Sequence, residues 1–83
     1  MAGVLAAAQA APDDLDAQLL AADVEVLTGE ADKGYTRLVG LIRRTAGDER
    51  EAVRKHLLSL FTVAGPDDPA VAKARRALAS ALF

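Results

Sequence analysis

Residues Gly65-Pro66-Asp67-Asp68-Pro69 form a rigid double-proline break, and from it Ala70 to Phe83 runs on as a short, basic, alanine-rich segment. Proline is tolerated in the first turn of a helix and not in its interior, so the break fixes a helix start at this point in the chain. Weaker punctuation of the same kind recurs at Pro12, Gly29 and Gly47. The intervals have the length of helices, and their apolar residues repeat every three or four positions. The chain is therefore restricted to an all-α fold of short antiparallel helices.

Composition agrees with that restriction. The 83 residues are 52% hydrophobic but 4% aromatic, with nineteen alanines, so the apolar content consists of small side chains that let helices approach closely. A chain this short buries about 60 to 65% of its unfolded surface, which is enough for one modest core. The net charge of -2 and the pI near 5.2 argue against a general nucleic-acid binder, which needs a concentrated basic surface. Absence of cysteine removes disulfides, thiolate metal sites and thiol redox chemistry, and fits a reducing compartment.

Met1 to Ala11 lacks the basic flank and the apolar length of a signal peptide, and no run of eighteen apolar residues occurs anywhere. The expectation is a soluble, cytoplasmic protein with no membrane partner. Residues 1–11 read as the remnant of a preceding helix, 12–46 as a first helix pair and 48–83 as a second. In the first pair Pro12, Asp13 and Asp14 open a helix whose stripe is Leu15, Leu19, Ala22 and Val26. Gly29 ends it in a left-handed conformation, and Ala31, Gly34 or Tyr35, Leu38, Leu41 and Ile42 form the next inner face. Gly34 is expected at a close helix crossing.

In the second pair, Asp48 and Glu49 open a helix striped by Val53, Leu57, Leu60, Phe61 and Ala64, placed at the centre of the core. Gly65 ends it; Asp67 or Asp68 caps the last helix, with Pro69 in its first turn and Val71, Ala74, Leu78 and Leu82 inward. Four main helices are expected. Residues 11–17, APDDLDA, match residues 46–52, AGDEREA, at an offset of thirty-five, the period of a helix-pair repeat.

Candidate chemistry is sparse. His56 is the single histidine and stands on a helix without cysteine or a second histidine, so neither a nucleophile pair nor a metal cluster can be built around it. Asp13, Asp14 and Asp16, like Asp67 and Asp68, lack the glycine of a calcium loop, its place being taken by Leu19 after the first group, and read as helix caps. No cofactor or metal is expected, and the chain is not expected to be an enzyme. Arg43 and Arg44 complement a helix dipole, whereas Lys73, Arg75 and Arg76 lie mid-helix on a polar face and are either ordinary solvated charges or a partner contact. Leu82 and Phe83 are either the last staple of the bundle or an anchor for another protein, and the Tyr35 hydroxyl is expected to reach water.

Read in order, APDDLDAQLLAADVEVLTGEADKGYTRLVGLIRR, DEREAVRKHLLSLFTVAG and DDPAVAKARRALASALF resemble the C-terminal tetratricopeptide-like domain of the bacterial thioredoxin-like co-chaperones called YbbN, CnoX or chaperedoxins. The resemblance covers almost the whole chain and is most specific at Asp68-Pro69, the paired arginines and the Leu-Phe finish. Ala22 and Gly34 fall where such repeats place their small crossing residues; Ala46 stands in place of the repeat's closing proline, so the repeats are degenerate. The resemblance implies a non-catalytic module that binds unfolded clients and the chaperonin or Hsp70 machinery. Its chaperonin contact would fall on Val71, Lys73, Arg75, Arg76, Leu78, Leu82 and Phe83. Two rivals stand beside it: a structural scaffold that forms homo-oligomers through alanine-rich faces, and a small helical nucleic-acid-binding regulatory domain using Lys73, Arg75 and Arg76.

Overall fold

The computed structural model describes residues 2–83, and Met1, the first residue of the expected remnant, lies outside the described residues. Among the described residues five helices follow one another: α1 (Ala2–Ala10), α2 (Leu15–Leu27), α3 (Ala31–Arg44), α4 (Gly47–Ala64) and α5 (Pro69–Leu82). The expectation of four main helices is thus corrected to five. α1 is a full member of the bundle because Ala8 is buried and the Gln18 amide of α2 donates to the α1 carbonyl of Ala8 at 2.8 Å and to that of Ala11 at 3.0 Å. The Ala8 carbonyl belongs to the last turn, where a helix leaves acceptors without internal partners, and Ala11 lies just past it.

Local chemistry sets the boundaries. Pro12 lies in the turn before α2 and not in its first turn, since Asp14 is the residue whose carboxylate accepts from the Ala17 N–H at 3.2 Å. Gly29 and Gly65 take the left-handed conformation after α2 and α4, with φ of +87° and +94°. Thr28 and Thr45 help end α2 and α3 by donating their hydroxyls to the carbonyls of Val24 and Leu41. Asp68 caps α5 by accepting from the Ala70 N–H at 2.9 Å, and Pro69 occupies the first turn.

The helices form two layers, and the whole is 15 Å deep along its shortest principal axis. α2 and α4 lie side by side in one layer, while α3 and α5 pack together in the other. The centre of the core is therefore α3, which packs on α2, α4 and α5, and not α4. Tyr35, Leu38, Leu41 and Ile42 of α3 meet Val53, Leu57 and Phe61 of α4 and Val71, Ala74 and Leu78 of α5. Each large side chain buried here contributes about 1.5 to 3 kcal/mol.

α2 departs from its expected stripe. Ala21 and Ala22 are fully buried, whereas Leu15, Leu19 and Val26 are partly buried and pack on the rim. The cause is Gly34: a methyl group there would come within 2.9 Å of the Ala22 carbonyl oxygen, so the two backbones meet where larger residues have no room. Ala64, at the end of the expected α4 stripe, is exposed because the helix has by then run past its partners.

Candidate functional site

Along α2, Asp16, Leu20, Asp23 and Leu27 recur at helical spacing on the side opposite the core. Leu20 is 52% exposed and Leu27 77% exposed, and both lie outside the small-residue crossing at Ala22. Ala52, His56, Ser59 and Val63 form the equivalent line on α4, with Val63 79% exposed. His56 Nε2 lies 2.7 Å from Asp23 Oδ1, a contact that holds the two lines edge to edge. The result is an apolar surface on the α2/α4 layer, with an acid toward its start and a polar clasp in its middle. A second helix or an extended segment fits such a face. His56 accordingly has a structural partner in Asp23.

The opposite flank carries a buried polar clamp. Arg37 of α3 donates from Nε and Nη2 to the two carboxylate oxygens of Glu25, at 2.7 and 3.3 Å, and from Nη1 to Gln18 Oε1 at 2.8 Å. Gln18 passes the link on to α1 through its amide, so one connected set of hydrogen bonds ties α1, α2 and α3 together. Arg44, expected to serve the helix dipole, also donates to the Pro12 carbonyl at 3.2 Å. An open cleft of about 590 Å³ lies above this clamp between α1 and α3. Of the residues that line it, Gln18, Glu25 and Arg37 already hold one another.

The expected contact residues of α5 divide sharply. Val71 is 1% exposed and Leu78 7% exposed, both inside the core and not at the surface where a contact was expected of them, and Leu82 is partly buried against it. Arg75 turns over the Phe61 ring with its guanidinium carbon 5.0 Å from the centroid, a cation–π contact. Phe61 in turn meets Tyr35 edge to face at 5.1 Å between centroids. Lys73, Arg76 and Phe83 project into solvent. Tyr35 differs from expectation: its hydroxyl is buried and has no hydrogen-bond partner among the described residues. Burial holds its pKa above the ordinary tyrosine value, and the negative charges of Asp68 and Asp32 add to the shift.

Sequence reasoning missed Leu20, Leu27, Val63 and the Gln18–Glu25–Arg37 clamp. A signal was present, since Leu20 and Leu27 are out of phase with Ala22 and in phase with two aspartates, while Gln18 and Glu25 flank the buried alanines. Among the described residues, no three histidine, aspartate or glutamate side chains gather where they could hold a metal ion. Among the same residues, no helix is long and apolar enough to cross a membrane.

The chain resembles "Uncharacterized protein Mb1359" of Mycobacterium bovis, at 48% identity over 71 residues, and "Uncharacterized protein Rv1324" of Mycobacterium tuberculosis at the same identity. The match takes in 86% of this chain and 23% of each relative, so the chain spans about a quarter of their length. No solved structure matches it. The sequence pattern of the tetratricopeptide repeat spans residues 1–83, and with paired antiparallel helices crossing at a glycine the chain belongs to the tetratricopeptide repeat family.

Proposed function

We propose that the chain is a non-catalytic protein-binding module whose α2/α4 face receives apolar segments of unfolded polypeptides, within a thioredoxin-like co-chaperone that delivers them to chaperonin or Hsp70 machinery. The observation that carries the binding reading is the clustering of Leu20, Leu27 and Val63 on one solvent-facing layer. Family membership points the same way, because a tetratricopeptide repeat is a protein-interaction fold. The co-chaperone setting rests on the resemblance of the Asp68-Pro69 to Phe83 stretch, and the greater length of the relatives leaves them room for a further domain. In this reading Lys73, Arg76 and Phe83, which are exposed, make the contact with the chaperone machinery.

The test is fluorescence anisotropy of a labelled, permanently unfolded polypeptide titrated with the module and with the Leu20→Asp, Leu27→Asp double variant. A loss of affinity of at least about tenfold is expected, since two contacts near the centre of the face become charged. Circular dichroism should be unchanged, because both residues are exposed. Equal affinities would remove the α2/α4 face from the account. Retention of chaperonin binding by a Lys73→Glu, Arg76→Glu variant would remove the α5 contact.

A further inference from the structure

We infer that the α2/α4 face has a resident occupant, the α5 helix of a second copy of this chain, seated parallel to α2 in a head-to-tail contact. The inference rests on the reading of that face as a protein-binding surface. Charge is its first support. Every charged side chain from residue 1 to residue 30 is acidic, and every charged side chain of α5 is basic. Among the described residues, none of the ion pairs takes in Lys73 or Arg76, and Asp16 is likewise left without one. Surfaces of opposite sign on one chain attract between copies and steer them into register.

The distribution of apolar surface is the second support. Among the described residues, exposed large apolar side chains are confined to Leu20, Leu27 and Val63 on the α2/α4 face and Phe83 just past the end of α5. Lys73, Arg76, Ser80 and Phe83 share the solvent side of α5 and span about 15 Å, while Asp16 to Leu27 spans about 16 Å at the same rise per residue. Laid parallel, the two lines put Lys73 and Arg76 beside Asp16, and Phe83 against Leu27 and Val63. Laid antiparallel, Phe83 would meet Asp16 and the cations would meet leucine, so the register selects the parallel arrangement. Arg75 stays with Phe61 and takes no part.

The two surfaces lie on different layers of one molecule, so they cannot satisfy each other in a single two-fold dimer. The contact is heterologous and propagates until a face is blocked. An unfolded client competes with the neighbouring copy for the same face, which makes assembly a store of occupied, protected binding surfaces.

Sedimentation velocity of the full chain across a concentration series tests this, together with Leu27→Asp and Phe83→Asp variants. Growth of species larger than a monomer is expected for the parent chain, weakening as salt is raised from low to physiological ionic strength. Each variant alone should remain monomeric, with self-affinity reduced at least about tenfold. An equimolar mixture of the two should give a 1:1 dimer and nothing larger, because each supplies the surface that the other lacks. A parent chain that stays monomeric at millimolar concentration overturns the inference, as do variants that assemble like the parent or a mixture that stays monomeric. If assembly fails while Leu20→Asp, Leu27→Asp still abolishes capture of unfolded polypeptide, the face is a client site without this occupant. If both fail, the reading of the face falls with it.

Discussion

Replacing Gly34 and Gly40 by alanine, one at a time, should change stability in opposite directions although both glycines lie in α3. An alanine Cβ at position 34 would approach the Ala22 carbonyl oxygen to 2.9 Å and Val26 Cγ2 to 3.2 Å. The first of these is backbone and cannot rotate away, so α2 and α3 must separate along a crossing that seats fully buried neighbours. Overpacking of this kind costs about 1 to 3 kcal/mol, against a gain of about 0.5 to 1 kcal/mol from the better helix propensity of alanine. The net expectation for Gly34→Ala is a loss of up to about 2.5 kcal/mol, centred on about 1 kcal/mol. At position 40 the nearest atom is Arg44 Nη1 at 4.0 Å, so the new methyl group meets no obstacle and the propensity gain remains. Gly40→Ala should stabilise by about 0.5 to 1 kcal/mol. In a domain of this size the two variants should differ in Tm by roughly 10 °C. Urea denaturation followed by circular dichroism at 222 nm, with thermal melts beside it, reads both numbers. Equal stability of the two variants, or a stabilised Gly34→Ala, would show that α2 and α3 do not cross at Gly34.

Removing one side of the buried clamp should be costly: Arg37→Met leaves the Glu25 carboxylate buried without its partner and should cost about 2 to 3 kcal/mol, at the low end for a buried pair because Arg37 is partly exposed. The Glu25→Met, Arg37→Met double variant should recover most of that loss in urea denaturation, and a double variant as unstable as the single would contradict the explanation. Tyr35 is the single tyrosine, so absorbance at 295 nm follows it alone and should give a midpoint above the ordinary value of about 10. Because its pKa is raised in the folded state, the stability held by the neutral phenol is complete below about pH 10 and falls as pH rises towards the folded pKa. Asp68→Asn keeps a capping side chain but removes a charge that opposes ionisation, so the Tyr35 midpoint should move down while α5 persists by circular dichroism.

Helix content, turn chemistry and the close crossing were legible because each depends on residues near one another in sequence. The left-handed glycines at 29 and 65, the Asp68-Pro69 start and the small residue at 34 announce themselves by type and spacing. What the sequence hid arises between helices. Gln18 and Glu25 are polar, a type that is mostly exposed, yet α1 covers one flank of α2, and they are held by an arginine twelve residues beyond Glu25. The α5 contact set mixed residues from two sides of one helix, since a run of functional positions taken from a resemblance does not respect the periodicity that puts Val71 and Leu78 inside and Lys73 and Arg76 outside. The hydroxyl of Tyr35 was expected at the surface because tyrosine usually finds water there, but the residue sits in the core cluster and its hydroxyl is buried with it.

The central claim is that one layer, α2 with α4, is the surface on which other polypeptides land. Methyl and amide chemical-shift mapping of the isotope-labelled chain, titrated with an unlabelled unfolded polypeptide at low protein concentration, locates that surface directly. The largest changes should fall on Leu20, Leu27, Ala52, Ser59 and Val63, with the α1/α3 cleft above Gln18 and Arg37 unmoved. Changes concentrated in that cleft, or on the solvent side of α5 alone, would contradict the account.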